Sequence, residues 1–364
     1  MKHRILVLLS VVLLLSCNNK DGNNTEAESW GKTSALDFPE TNSTEVITLT
    51  KQIFPNITEL IGENIFLDAD FPVKELQPII KDSLFIIKCF QNNQDYMIRV
   101  YSMPEFKEIK QLAKKGNGPD EFIDIRLIPT QEKDKLFYIA DVSKRTLSYV
   151  DNNFQIKKLS FKEPANLSYF RLHYPTQIDS NEFLFASDAD DGRFLYQMNI
   201  NDSIVKGIYN LSFDPSKKFF AAYIGSFAYN PQKKRFVHAY LCYNRLIFSD
   251  LDGKNQKIIQ FKEQEQIIAN SNLELMNDPK TVFYYTNCIS SSNYIYLMYQ
   301  GKTDPEFKEN PNMYIEQWDW DGNPINKFVL KHFLRPSGWV DEENNVMYIT
   351  NGFEDEPLYK FDLK

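Results

Sequence analysis

Cysteine and histidine, on which most metal and nucleophile chemistry depends, are scarce: the 364 residues hold four of each. No C-x-x-C pair or Cys/His spacing suits zinc. H-E-x-x-H is missing too, as is the G-x-S-x-G elbow that would present a nucleophilic serine. His173, His238 and His332 fall far apart, and His238 alternates inside "RFVHAYL" as a strand residue. Cys89, Cys242 and Cys288 are odd in number and widely spaced. Buried free thiols inside strands are expected, with a single disulfide as the alternative. Carboxylate pairs such as Glu342-Glu343 and Asp355-Glu356 read as solvated turns. Nothing here spells out a catalytic constellation, a metal site or a cofactor site.

Positive charge is also short. Lysine and arginine number 41 against 49 acidic residues, a net of −8. Nucleic acid, whose partners present clustered Lys and Arg, is therefore not an expected ligand. A membrane-crossing run is missing as well: Ile5–Leu15, broken only by Ser10, covers about 16 Å at ~1.5 Å per residue, half a bilayer core. Preceded by Lys2, His3 and Arg4, this run has the pattern of a secretory signal peptide, expected over 1–16. Leu14-Leu15-Ser16-Cys17 then resembles the lipobox of bacterial lipoproteins. The resemblance implies that Cys17 becomes the mature N-terminus and carries the lipid; an ordinary signal peptide with an incidental cysteine is the alternative. Without Lys2 and Arg4 the remainder has 39 basic and 49 acidic side chains, a net of −10. Such a chain would be held to anionic lipid covalently rather than by charge. The expected address is the cell envelope, lipid-anchored to the outer membrane, with the periplasmic or surface side open. Lys20-Asp21 is similar to the charged signals that send some lipoproteins to the surface.

Residues 17–45 are polar and poor in β-branched side chains, which reads as a flexible tether. From residue 46 to 364 the texture changes to short apolar runs rich in Phe and Tyr, alternating with polar turns. Only 267–277 reads as helix. The runs repeat. "LFYIADVSKRTLSYVDNNFQIKKL" (136–159), "FLFASDADDGRFLYQMNINDSIVKGI" (183–208) and "RFVHAYLCYNRLIFSDLDGKNQKIIQF" (235–261) each read strand, loop, strand, tight turn, strand. Turn anchors at Pro104, Asn152, Asn201, Asp252 and Asp321 lie 48, 49, 51 and 69 residues apart, with insertions around 264–280 and 302–312 accounting for the long interval. A unit of about 50 residues with three or four strands matches a propeller blade. The expected fold is all-β, a six-bladed propeller of four-stranded antiparallel blades. Its last unit is one strand short after Leu363, and "EVITLTKQI" (45–53) is the N-terminal strand expected to close it.

Two fragments carry a family likeness. "YIADVSKRTLSYVD" (138–151) resembles the NHL-type propeller repeat, in which an Asp ends one strand and an Arg begins the next, here Asp141 and Arg145. Gly116-Asn117-Gly118-Pro119-Asp120-Glu121-Phe122 resembles the G-x-G-P-x-E-F signature of six-bladed, TolB-like propeller lipoproteins of Gram-negative envelopes, with Asp120 where glycine is frequent. The likeness implies fold and location more than chemistry.

Bland readings compete with sharper ones at three places. "GNGPDEF" has the glycines of a phosphate loop, but Pro119 removes an N–H donor and "FIDIRLI" after it reads as a strand, so a crossing turn between blades is expected. "DADDG" (188–192) fails the calcium-loop register, which would put Arg193 and Asn199 at the glycine and glutamate places. An acidic hairpin is expected there, an irregular calcium site being the alternative. Arg145, Arg193 and Arg245 precede their turn anchors by seven or eight residues in three consecutive units. They are structural partners of neighbouring strands or, alternatively, a ligand-binding ring of guanidinium groups suited to an anion in the central channel.

Alternating strand directions put the loop between second and third strands on the same rim as the crossing to the next blade. That rim collects "CFQNNQD", "DVSKR", "SDADDG", "LCYN", "QGKTDPEFKENPN", "TNGFEDE" and "GNGPDEF", and is the expected working face. The leading expectation is a lipid-anchored envelope module that binds an envelope protein, glycan or peptide. The rivals are a channel-site hydrolase or lyase and, more weakly, a spacer or surface coat.

Overall fold

The computed structural model describes residues 36–40, 44–50, 53–67, 78–89, 95–160, 173–202, 205–262, 267–333, 336–351 and 358–363. They form six sheets arranged as the blades of a propeller. Three short N-terminal strands come first: β1 (Thr44–Leu49), β2 (Ile57–Glu59) and β3 (Glu63–Ile65). Blade I is β4 (Ile79–Lys81), β5 (Leu84–Lys88), β6 (Tyr96–Ser102) and β7 (Glu108–Lys114). Blade II is β8 (Ile125–Pro129), β9 (Lys135–Asp141), β10 (Thr146–Asp151) and β11 (Ile156–Lys158). Blade III is β12 (His173–Asp179), β13 (Glu182–Ala189), β14 (Gly192–Asn199) and β15 (Val205–Asn210). Blade IV is β16 (Gly225–Asn230), β17 (Arg235–Tyr240), β18 (Arg245–Asp250) and β19 (Gln256–Phe261). Blade V is β20 (Val282–Ser290), β21 (Tyr294–Thr303), β22 (Asn312–Asp319) and β23 (Pro324–Lys331). Blade VI is β24 (Ser337–Asp341), β25 (Val346–Thr350) and β26 (Leu358–Asp362), completed by β3.

Why these runs are apolar nearly throughout is plain from β13. Phe183 and Phe185 pack toward blade II, whereas Leu184 and Ala186 pack toward blade IV. Successive side chains point to opposite faces, and in a ring of blades both faces are covered, so alternation gives way to a continuous apolar run. Six hydrophobic clusters follow, one at each blade–blade junction, the last joining Phe85 and Tyr101 of blade I to Tyr348 and Leu358 of blade VI. The tight turns at Asp252-Gly253 and Asp321-Gly322 behave as their sequence says. Both glycines adopt φ +75°, and Gly322 N–H donates to Asp319 O at 3.1 Å, a type I turn closed by a glycine in the left-handed region.

The N-terminal segment closes the ring, but with a different strand from the one expected. β3 pairs antiparallel with β26, Ile65 opposite Leu358 and Glu63 opposite Lys360. β1, which holds most of "EVITLTKQI", instead adds a parallel fifth strand to blade IV, Thr44 opposite Gln256 through Leu49 opposite Phe261. β2 does the same for blade V against Lys327–Val329. Phe54 bridges the two, its ring 5.4 Å from that of Trp318. The belt begins further upstream: Leu36 is buried in the blade II–III cluster and the Phe38 ring lies 6.1 Å from that of Phe194. Of the tether expected over 17–45, therefore, residues 36–40 and 44–45 pack on the propeller; 17–35 and 41–43 lie outside the described residues. The belt passes along the outer edges of blades III to VI in order.

Among the described residues two short α-helices interrupt the strands. α1 (Asn272–Asn277) falls inside the expected 267–277. α2 (Asp304–Glu309), in the insertion between β21 and β22, was not read from the sequence, although its capping box was legible: Thr303 and Glu306 cap one another reciprocally around Pro305. Among the described residues no helix is long and apolar enough to cross a membrane.

Candidate ligand cavity between two blades

The loop "GNGPDEF" is a crossing turn from blade I to blade II, and the amides of Gly116, Gly118, Glu121 and Phe122 are already used. Gly118 N–H donates to Glu121 Oε2 at 2.9 Å, and Gly116 N–H donates to Phe122 O at 2.9 Å. Lys144 Nζ donates to the Gly118 and Glu121 carbonyls at 2.7 and 2.6 Å. Gly116 sits at φ +152°, where a Cβ would collide with the Glu121 carboxylate. The signature thus encodes a self-capped turn. Asp141 has a related task. Fully buried, it accepts from the N–H groups of Ile123 (2.8 Å), Ser143 (3.1 Å) and Lys144 (3.0 Å), tying the β9–β10 loop to that crossing.

The three arginines occupy three different settings. Arg145 is exposed just before β10, at φ +53°. Arg193 on β14 is buried and lies 3.4 Å from Asp188, its register partner across the "DADDG" hairpin. Arg245 opens β18, donates to Gln260 Oε1 at 2.9 Å and stacks 4.1 Å from the centre of the Phe213 ring. All three lie on or beside third strands, not on the innermost strands that wall the channel, and Arg193 and Arg245 gather at the junction of blades III and IV.

The histidines are also scattered over blades III, IV and V. His238 on β17 is fully buried, its ring 4.5 Å from that of Tyr240; burial, then the Arg193 charge, pushes its pKa well below the usual value. The thiols of Cys89, Cys242 and Cys288 are free. Only Cys288 lies within a strand; Cys89 follows β5 and Cys242 sits in the β17–β18 turn, and burial raises the pKa of both to about 12. Glu342 accepts from Asn293 N–H and Nδ2 at 3.2 and 3.0 Å, joining blades V and VI, while Asp355-Glu356 lies outside the described residues. Just before the innermost strand of blade II, Asp124 is held between Arg126 (2.6 Å) and Lys88 (3.7 Å). No group of three or more His, Cys, Asp or Glu side chains among the described residues could hold a metal ion.

Polar groups converge elsewhere. At the rim end of the blade IV–V junction the apolar packing gives way to a cavity of about 290 Å³. Blade V supplies most of it. Tyr299 on β21, Tyr314 and Glu316 on β22 and Lys327 on β23 line one wall, while Asn244 and Phe261 of blade IV face them. Ile57 of the belt, 64% exposed, stands at the mouth. A backbone irregularity shapes the wall: Phe283 pairs with Lys302 and Tyr285 with Tyr299, so β21 carries one extra residue. Gly301 absorbs it at φ +63°, where a Cβ would come within 2.5 Å of the Tyr299 ring. Glycine bulges of this kind re-aim side chains beside functional sites.

Electrostatically the wall is unusual. Glu316 has 3% of its side chain exposed and forms an ion pair with Lys327 Nζ at 2.9 Å. Tyr285 OH lies 3.4 Å from its other oxygen and donates to Asn244 Oδ1 at 3.3 Å. Burial raises the Glu316 pKa, and the Lys327 charge pulls it back. Lys327 in turn sits 4.6 Å from the centres of both the Tyr299 and Tyr314 rings, a cation cage. Burial raises the Tyr285 and Tyr299 pKa values, so both phenols stay protonated and can donate. Lys302, partly buried, donates to Asn310 O at 3.0 Å, and desolvation lowers its pKa. The sequence reading missed Glu316, Lys327 and the tyrosines. One signal was present: Glu316 interrupts the apolar strand "MYIEQWD" on the face that Tyr314 and Trp318 share. The expected rim loops "LCYN" and "QGKTDPEFKENPN" do meet here, through Asn244 and residues 300–302.

Six sheets in a ring, with a polar cavity between two of them, make this a six-bladed β-propeller with a lateral cleft. Within that class the chain belongs to the TolB-like six-bladed propeller family, whose model matches residues 52–342. It is similar in fold to a DUF4221-family protein from Bacteroides vulgatus, with 14% identity, a TM-score of 0.58 and coverage of 86% of this chain and 98% of that one. A candidate exported protein from Bacteroides fragilis gives 11% identity, a TM-score of 0.54 and coverage of 88% and 99%. No curated protein matches the sequence.

Proposed function

We propose that this protein is a cell-envelope propeller, lipid-anchored through Cys17 to the outer membrane, that binds an envelope glycan, peptide or protein at the blade IV–V cavity. The observation that carries the binding role is the cavity itself: Glu316, Lys327 and the Tyr299 and Tyr314 phenols converge with Asn244 on a space of about 290 Å³ at the blade IV–V junction. Ligand sites are concave, with few polar groups placed among apolar walls, and they favour loops held on a rigid frame. The N-terminal pattern, and the similarity to a protein thought to be exported, support the address. For the channel enzyme the support is thinner, because Asp124 is neutralised by two cations and Glu316 by one.

A thermal-shift screen of the full chain in detergent, against calcium with an EDTA control, oligosaccharides, peptidoglycan fragments, peptides and anionic metabolites, tests this. A ligand at about 100 times its Kd stabilises the fold by roughly 2.7 kcal/mol. The shift should vanish in Ile57→Trp, which fills the mouth, and survive in an Arg145→Gln/Arg245→Gln variant. Loss in the arginine variant alone would move the site to the blade III–IV junction and sink the cavity reading.

A further inference from the structure

We infer that the cavity is built for an acidic sugar, with the ligand carboxylate on Lys302 and its hydroxyls among the tyrosines and amides; this rests on the binding role proposed above. Charge is the first argument. Two lysines and one carboxylate line the cavity, and Lys327 is matched by Glu316. Lys302 donates to a carbonyl, Asn310 O, and among the described residues no carboxylate forms an ion pair with it, the Glu306 charge acting on it only from beyond contact distance. Among the described residues that line the cavity, Lys302 is thus the cation with no carboxylate in contact, on a chain whose net charge is −8. A partly buried ammonium with no carboxylate in contact can still take a charge-assisted hydrogen bond from an incoming anion.

The neutral lining decides what accompanies the anion. Asn244, Gln300 and the phenols of Tyr299 and Tyr314 are hydrogen-bonding groups suited to hydroxyls, and aromatic walls suit the apolar faces of a pyranose. A fatty acid would find too few apolar neighbours, and a phosphate dianion, among the described residues, a single lysine outside an ion pair. Size agrees: about 290 Å³ sits at the small end of the range for ligand pockets, which suits one or two sugar rings. With Ile57 exposed at the mouth, a longer chain can run outward from the bound unit.

The test is calorimetric titration of the full chain in detergent with D-glucuronic and D-galacturonic acid, their disaccharides, neutral glucose and galactose, acetate, and a glutamate-rich peptide. A uronate should bind at least tenfold tighter than its neutral sugar, and more weakly as salt rises. Lys302→Gln should weaken uronate binding on the order of tenfold or more, since a hydrogen bond to a charged group is lost. Lys302→Arg should retain it. Binding of free uronates would point to a monosaccharide ligand, and binding of the disaccharides alone to a glycan terminus; both support the inference. Equal affinity for neutral sugars, an unaffected Lys302→Gln, or peptide or acetate binding as tight as uronate would overturn it. If a neutral sugar or the peptide binds wild type but not Ile57→Trp, the cavity stands and only the acidic-sugar class falls. Silence toward every probe overturns the class outright, and the wider screen above then decides the fate of the cavity.

Discussion

Lys327 is held by one carboxylate and the faces of two tyrosines, so the cavity wall depends on Glu316 remaining ionised. Glu316→Gln should destabilise the protein by about 2–4 kcal/mol, because it strands a desolvated ammonium, and Glu316→Gln/Lys327→Met should recover most of that loss. Urea denaturation of the two single variants and the double reads the coupling; strict additivity would mean that the pair does not interact. His238 sets a separate, pH-dependent balance. Its folded pKa lies well below the usual value, so the native state refuses a proton that the unfolded chain accepts. Stability is therefore present above about pH 6.5 and declines as pH falls below it, by up to about 1.4 kcal/mol per pH unit for this one group. Replacing it in His238→Phe should flatten the change in urea midpoint between pH 7 and pH 5. An unchanged slope would assign the acid sensitivity elsewhere.

At the scale of elements, the belt divides its labour. β1 and β2 cover the outer edges of blades IV and V, which would otherwise offer unpaired N–H and C=O groups to other chains. β3 does more, since blade VI has only three strands without it. Deleting the chain through Leu49 should leave a folded ring with weaker protection of β19. Deleting it through Ile65 should expose β26 and unlatch blade VI from blade I, seen as lost amide protection across β24–β26 and a tendency to associate. Equal protection of β26 in both truncations would show that β3 is dispensable. The bulge at Gly301 works on a smaller span: one extra residue swings Lys302 and Tyr299 to the cavity.

For the molecule as a whole, the proposal joins an address to a binding face. Cys17→Ser should move the protein from the membrane fraction to the soluble fraction and abolish labelling by a radioactive fatty acid, while leaving ligand titrations unchanged. Retention of label would show that another residue carries the lipid. The cavity lies on the side of the ring, near the rim where the loops between second and third strands gather, and the belt runs past its mouth. Ile57 belongs to both, so a partner pulling on the belt would act directly on the cavity entrance.

Blade number, blade length and the apolar character of each strand were written in the sequence, because a strand buried on both faces must be apolar along its length and the tight turns are marked by Pro, Asn, Asp or Gly. "GNGPDEF" and Asp141 were legible because part of their hydrogen bonding is local: Gly118 N–H to Glu121, and Ser143 and Lys144 N–H to Asp141. The closing strand was not. Backbone pairing is nearly indifferent to side chains, so the alternation of "EVITLTKQI" marks a strand without naming which of several open edges it joins, and only the assembled ring put it on blade IV and left β3 for blade VI. The cavity was hidden likewise. Asn244, Tyr299, Glu316 and Lys327 are scattered over more than 80 residues of chain. Only register across β21–β23 and the packing of blade V on blade IV bring them face to face. Local order is decided by neighbours in the chain, whereas the site is decided by neighbours across a junction, which no single stretch of sequence contains.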